Sequence, residues 1–470
     1  MAVLASRATG GSYSVVGGKG GLIGSPTNAA RKSENRQLLE SMSQGIPPEA
    51  FDTKIDKMSV GPFTFYRGSA KFYYRDMQQQ NVVVNSPFYS SEARTWLQAD
   101  MHMANAGRFD ASDGTVVFDV NDFDESFVGS YLYDVYRLAA SVALVARDQG
   151  NALEAADDPT SKFVRKFANA YLDQIKALAG DKRKDSGGVN RNPLTQNNAG
   201  KNNPIAKLLG KDLKGLGANK KWLDPDGPNL LEVPDSLISV DADVKRAVAA
   251  AVEAYARTTD KWAKLGDKKG RDYFAVQDVK QRVDAGTGSL GTKRFYVRIA
   301  GSDDRLLDVK QQSLPAWYDY VSADEKAVAY GGLDGGKERE AARVVLAYKK
   351  MVAYGPDPHL GVLTMSGSGV DGIYSVRERS PWKDSLDLVS ADDPNLHLEK
   401  KDMGTLAEQY GTLLASAHDR ASDGSNGTPE DFSGLLWPLI KGGEDDFVDL
   451  VDGVGCAYAR QAQVDLGLLK

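Results

Sequence analysis

The chain is nearly without sulfur chemistry. Its one cysteine, Cys456, excludes an internal disulfide and a cysteine-built zinc site, and fits a reducing compartment. Histidine is scarce too: the four are His102, His359, His397 and His418, and none forms an H-x-H pair. No apolar run approaches the roughly 18 residues that mark a spanning helix, so no membrane partner is expected. The opening residues lack the apolar core of a signal peptide, and a cytoplasmic location is expected. A strong charge of either sign is also missing. The net charge of -6 argues against a general nucleic-acid binder while leaving room for a local basic patch. What remains is 41% hydrophobic and 26% charged over 470 residues, an ordinary globular composition with room for two to four domains or lobes.

The concentrated polar chemistry lies in one stretch, Gln98 to Glu125, QADMHMANAGRFDASDGTVVFDVNDFDE. Residues 106–109 and 115–120 read as antiparallel strands around the turn Asp110-Ala-Ser-Asp-Gly114. Paired strands lie roughly 5 Å apart, which sets Asn105 beside Asn121 and Asp122. Asp100, Asn105, Asp122 and Asp124 then gather at one hairpin end. Carboxylates with an amide oxygen suit magnesium, which keeps waters for a phosphate to replace. An Asp with an Asn five residues on, then a D-F-x triplet after a hairpin, has the spacing of kinase catalytic and metal loops. In that reading Asp100 takes the proton of an acceptor hydroxyl, while Asn105, Asp122 and Asp124 hold metal on ATP phosphates. Asp100-Met-His102 is also the D-x-H that opens dinuclear metallophosphatases, but further histidine ligands are lacking, so a metal-dependent phosphatase is the remote alternative.

A second informative stretch is 279–312. Gly286-Thr-Gly288-Ser289-Leu-Gly291 precedes a strand in which Phe295, Val297 and Ile299 alternate with polar residues, and Leu306 to Lys310 returns as its partner. The expected register sets Lys310 opposite about Phe295. A backbone without side chains can approach phosphates and offer N–H donors, and a nearby lysine pairs with phosphate oxygens. The helix expected over 338–354 carries Glu338 and Glu340, either of which could pair with Lys310, although a first-turn glutamate is also favoured by the helix dipole alone. Strands are expected at 361–363 and 372–377.

Four parts follow: a flexible arm over 1–35, a catalytic helical lobe over 36–280, a small nucleotide-binding sheet lobe over 281–385, and C-terminal helices over 386–470 packing on the catalytic lobe. Residues 181–221, rich in Lys, Asn and Gly, read as a flexible basic insertion. Leu132, Val135, Ala139, Val142 and Ala146 share one face of a helix that also carries Asp134 and Arg137.

The segments PFTFYRG at 62–68, DMHMANAG at 100–107, VFDVNDFDES at 117–126, DVYRLAASV at 134–142, GTGSLGTKRFYV at 286–297 and LASAHDR at 414–420 closely resemble the bacterial domain-of-unknown-function 2252 family. Their pattern in turn resembles the aminoglycoside phosphotransferase and choline kinase branch of kinase-like folds. That resemblance implies an α+β, two-lobed, circularly permuted kinase-like fold, because the glycine stretch and Lys310 follow the catalytic loop instead of preceding it. It implies ATP and magnesium as cofactors and an unidentified small-molecule or protein acceptor. Gly286, Gly288, Ser289, Gly291, Lys310 and Glu340 become the nucleotide-binding set, and Asp134 the support of the catalytic loop. Three departures stand out: Ala99 replaces a glycine, Gln311-Gln312 follows the lysine, and Leu346 stands where a glutamate is usual. A pseudokinase-like nucleotide-binding scaffold and a nucleotidyl transferase are the alternatives.

Overall fold

A computed structural model describes residues 28–43, 46–150, 159–180, 194–212, 217–283, 291–301, 305–393, 396 and 398–469. The fold mixes helices with antiparallel sheets. Eleven strands occur among these residues: β1 (Arg94–Leu97), β2 (Ala106–Asp110), β3 (Val116–Val120), β4 (Phe127–Ser130), β5 (Leu194–Thr195), β6 (Leu237–Ser239), β7 (Val276–Arg282), β8 (Arg294–Ile299), β9 (Leu306–Gln311), β10 (Gly361–Met365) and β11 (Gly372–Arg379).

The larger core is helical. Helix Leu132–Asp148 reads LYDVYRLAASVALVARD, apolar around most of its circumference, and every residue from Leu132 to Ala146 is buried. A helix of that kind belongs at the centre of a bundle. The helices Ser161–Ala179 and Glu444–Leu469 pack against it, and Lys400–Arg420 packs along Ser161–Ala179. Helix Asn28–Ser43 reaches back into the stretch read as an arm. It is fastened by the buried Arg31, which bonds Asp76 and Asp465.

Two short antiparallel pairs cross in front of this bundle. The β2–β3 hairpin runs from Ala106 opposite Val120 to Asp110 opposite Val116. Beyond its open end the Asn121 N–H donates to the Asn105 carbonyl at 3.2 Å, so the expected juxtaposition of those residues is present. The β1–β4 pair ends with Leu97 opposite Phe127. The segment leaving β1 and the segment entering β4 therefore lie side by side. Within the insertion read as flexible, β5 adds to β3 and the helix Pro204–Leu209 follows.

The second core belongs to a six-stranded antiparallel sheet in the order β10-β11-β9-β8-β7-β6. Helices Ala242–Ala256, Asp260–Leu265 and Asp267–Phe274 supply Val248, Val252, Tyr255, Trp262 and Phe274 to its core, so residues 242–274 pack with the sheet. Lys310 pairs with Arg294, and Val309 with Phe295. The register thus sets Lys310 opposite the residue adjacent to Phe295, about where it was expected. Between β9 and β10 run the helices Ala323–Ala329 and Arg339–Met351, the second lying against β10 and β11. Among the described residues, no helix is long and apolar enough to cross a membrane.

Candidate functional site

The site forms where the loop after β1, the open end of the hairpin and the sheet meet. Helix Leu132–Asp148 positions the loop from behind. The buried Asp134 carboxylate accepts the backbone N–H groups of Gln98 and Ala99, each at 2.8 Å, and His418 Nε2 lies 3.3 Å from it. One turn further, Arg137 Nε donates to Asp100 Oδ1 at 2.8 Å, and its Nη2 donates to the same oxygen and to the Tyr66 carbonyl. Asp134 and Arg137 thus act on the loop separately: one fixes its backbone, the other its carboxylate. Ser141 Oγ accepts the Met103 N–H at 2.9 Å, and the Tyr410 hydroxyl donates to the Met103 carbonyl at 2.5 Å. Asn105 Nδ2 donates to the Asp100 carbonyl at 3.0 Å, which leaves the amide oxygen available as an acceptor.

Asp122 and Asp124 follow β3. The Gln98 side-chain amide donates to the Asp122 carbonyl, linking the loop to the acidic segment. Lys310 Nζ donates to Asp124 Oδ2, and Gln312 Nε2 donates to Asp124 Oδ1 at 3.0 Å. Arg377, on β11, donates to the Asn121 carbonyl at 2.7 Å and ties the sheet to the hairpin just before Asp122. Asp122, Asp124, Lys310 and Arg377 line one solvent-open cleft of about 370 Å³, walled on its apolar side by Val344, Val345 and Leu360.

Glu340 does not meet Lys310. It accepts Arg343 Nε at 3.0 Å and the Tyr330 hydroxyl at 2.8 Å, while Glu338 accepts the Thr364 hydroxyl. Helix Arg339–Met351 instead reaches the site through the buried Arg343, which donates to the carbonyls of Asp124 and Ser126. Gly286, Gly288 and Ser289 lie outside the described residues. Gly291 is described: its φ is +90°, and a Cβ there would stand 2.5 Å from Ile46 Cγ2, so both conformation and space call for glycine.

The electrostatics divide the carboxylates. Burial raises the Asp100 pKa to about 6, with Arg137 holding it from going higher. Burial, then the Asp100 charge, raises Glu125 to about 7. Burial also opposes the charge on Asp124, but Lys310, Gln312 and Arg377 outweigh it and hold that carboxyl below its usual range. Two environments a few residues apart thus favour a proton-accepting carboxylate and a permanently charged one. His102 is buried with Nδ1 unpaired and Nε2 3.8 Å from Asp100; burial, then Arg67 and Arg137, keeps it neutral. His359 is held by Asp357 away from this loop, His418 by Asp134 behind it, and His397 lies outside the described residues.

Several participants carry no sequence signal. Lys54, on helix Pro48–Met58, is 6% exposed and has no hydrogen bond or ion pair among the described residues. Burial lowers its pKa, and the nearby charges of Glu125 and Asp100 partly restore it. The Glu125 carboxylate accepts the Ala316 N–H at 2.5 Å and its carbonyl the Trp317 indole N–H at 2.6 Å, anchoring the segment after β9. These contacts join residues nearly 200 positions apart in the chain, beyond any local pattern.

No curated protein and no solved structure matches the chain. A family model described as "Uncharacterized protein conserved in bacteria (DUF2252)" matches residues 47–469, and the chain belongs to that family.

Proposed function

We propose that the protein is a kinase-like, ATP-dependent phosphotransferase acting on a hydroxyl acceptor, with a circularly permuted two-lobed arrangement. The observation that carries this reading is the meeting of Lys310 with Asp124 across the cleft that Asp122 also lines. Three further features support it. The glycine stretch connects β7 to β8, Lys310 lies on the next strand, and a helix follows it, which is the kinase order of glycine loop, lysine strand and helix. Asp100 and Asn105 lie on a loop that Gln98 ties to the Asp122 carbonyl and that precedes those elements in the chain.

The residues fit a magnesium ion. Asp122 has no cation within salt-bridge distance among the described residues, and Asn105 keeps its amide oxygen available. Asp122 and Asn105 would hold the ion, with Asp124 joining when Lys310 moves onto phosphate. Such an ion supplies charge neutralisation on transferring phosphates. Lys310 and the glycine-rich backbone orient the phosphates, and Asp100 accepts the acceptor's proton, its raised pKa bringing it toward neutral pH.

The Lys310–Asp124 ion pair also favours a second reading, a nucleotide-binding scaffold, because both groups are engaged with each other instead of with ligand. Incubation with ATP labelled on the γ-phosphate or on adenine separates the readings. Transfer of the γ label alone supports a kinase, adenine label on a product supports nucleotidyl transfer, and binding without either supports the scaffold.

A further inference from the structure

A second solvent-open pocket, of about 480 Å³, lies between the hairpin, β9 and the end of β11. Its lining includes four carboxylates, and three cations outside the lining, two of them shared, engage them. Asp110 bonds Arg305 at 2.6 Å. Asp308 takes a two-point contact from Arg294, the Nε bond being 2.6 Å. Asp357 and Glu378 share His359, whose Nδ1 is 2.9 and 3.0 Å from them. None of these three cations lines the pocket.

The cations that do line it have no close carboxylate partner. Arg108 is 1% exposed; its Nη1 donates to the Leu208 carbonyl at 2.8 Å and its guanidinium lies over the Trp382 ring, but it has no carboxylate within 4 Å among the described residues and its buried Nε has no hydrogen-bond partner. Among the described residues Arg379 donates to Asn219 and the Ala218 carbonyl and lies over the Trp222 and Tyr296 rings, and its Nε is likewise without a partner. The Lys383 ammonium has no hydrogen bond or ion pair among the described residues. Arg377 is the fourth, reaching Asp308 only at 3.8 Å. Burying a guanidinium without a counter-charge is costly, and in folded proteins such a group is paired or holds a ligand; Arg108 is so placed, and the half-buried Arg379 and Lys383 add positive charge to the same pocket. Burial, then Arg377, Arg379 and Arg294, lowers the Lys383 pKa well below its ordinary value, and an anion bound beside it would restore the charged form.

We propose that Arg108, Arg379 and Lys383 form a binding site for a phosphate-bearing small molecule, distinct from the cleft at Lys310. Guanidinium forks suit phosphate oxygens, and a multiply charged oxyanion satisfies several donors together. The pocket shares Asp308, Tyr348 and Arg377 with the neighbouring cleft, so a ligand seated here lies one wall away from it. The site does not depend on the nucleotide reading.

The test is calorimetric titration of the full chain with pyrophosphate in magnesium-free buffer, repeated with citrate to separate phosphate from carboxylate oxyanions. Saturable one-to-one binding of pyrophosphate is expected, stronger than that of citrate. Lys383→Met, which breaks no hydrogen bond or ion pair of the side chain among the described residues, and Arg379→Met should each weaken it at least about tenfold, with Lys383→Arg retaining most of it. Lys310→Ala should leave it intact. Absence of binding overturns the proposal, as does equal or tighter binding of citrate, or binding that disappears in Lys310→Ala while Lys383→Met leaves it unchanged.

Discussion

Asp134 holds Ala99 in a left-handed backbone conformation: φ at Ala99 is +68°, and its N–H donates to the Asp134 carboxylate at 2.8 Å. That conformation ordinarily favours glycine, which accounts for the glycine that the resemblance places at this position. The Asp134 bonds therefore do more than satisfy donors; they keep the loop in the turn that presents Asp100. Asp134→Ala should leave two buried N–H groups unpaired, at about 1–3 kcal/mol each. Chemical denaturation should show a loss of about 2–6 kcal/mol, whereas Ala99→Gly should be tolerated. A small loss in Asp134→Ala would mean that the loop relaxes onto other acceptors.

The nucleotide reading has a signature that needs no acceptor. ATP with magnesium at about 100 times its dissociation constant should stabilise the fold by roughly 2.7 kcal/mol. Lys310→Ala and Asp122→Ala should abolish most of the corresponding rise in melting temperature, the first by removing a phosphate partner and the second a metal ligand. No rise in the unaltered protein would remove ATP from the site.

Asp100→Asn separates catalysis from binding. If Asp100 is the base that faces the acceptor, the variant should keep the ATP-dependent rise and lower transfer by about 10²- to 10⁴-fold. With its pKa at about 6, a general base gains activity as pH rises through about 6. A rate profile flat from pH 5 to 8 would assign the proton elsewhere.

The order of the strands explains what could be read from sequence and what could not. The β2–β3 hairpin is local, with a strong turn signal, so the meeting of Asn105 and Asn121 followed from strand spacing alone. The β1–β4 pair has no such signal: RTWL and FVGS are four residues each and are joined through the whole intervening loop and hairpin. Lys310, expected opposite about Phe295, pairs with the adjacent Arg294, because strand pattern fixes which strands pair more firmly than the residue at which they meet. Glu340 was chosen by its place in a first helical turn, a position that dipole and Arg343 explain without Lys310. Gln312, an apparent departure after the lysine, supplies the second hydrogen bond to Asp124.

Glu340 consequently gives a stability effect without a binding effect. Arg343 is fully buried, and removal of its carboxylate partner leaves a buried guanidinium with carbonyl acceptors only. Glu340→Ala should cost about 3–5 kcal/mol. The stabilisation by ATP with magnesium, expressed relative to the variant's own melting temperature, should persist. Selective loss of that stabilisation, with the fold intact, would return Glu340 to the nucleotide site.

His359 sets the alkaline limit of the sheet's attachment. Its ring faces Asp357 and Glu378 through Nδ1 and the Tyr273 hydroxyl through Nε2 at 3.0 Å, while Phe274 packs edge-on against it. Burial disfavours the imidazolium, but the two carboxylates outweigh it and raise the pKa from 6.5 to about 9. The folded protein therefore binds this proton more tightly than the unfolded chain does. Stability from the triad is fully present below about pH 6.5 and is lost as pH rises through about 9, up to about 3 kcal/mol across the window. Denaturation of the unaltered protein and His359→Gln at pH 6, 8 and 10 should show a gap between them that narrows with rising pH. The same three side chains have the composition of a cation site, and the proton accounts for them as well. Addition of a chelator should leave the gap at pH 6 unchanged, whereas a gap that collapses with chelator would show that a metal, and not the imidazolium proton, joins Asp357 to Glu378.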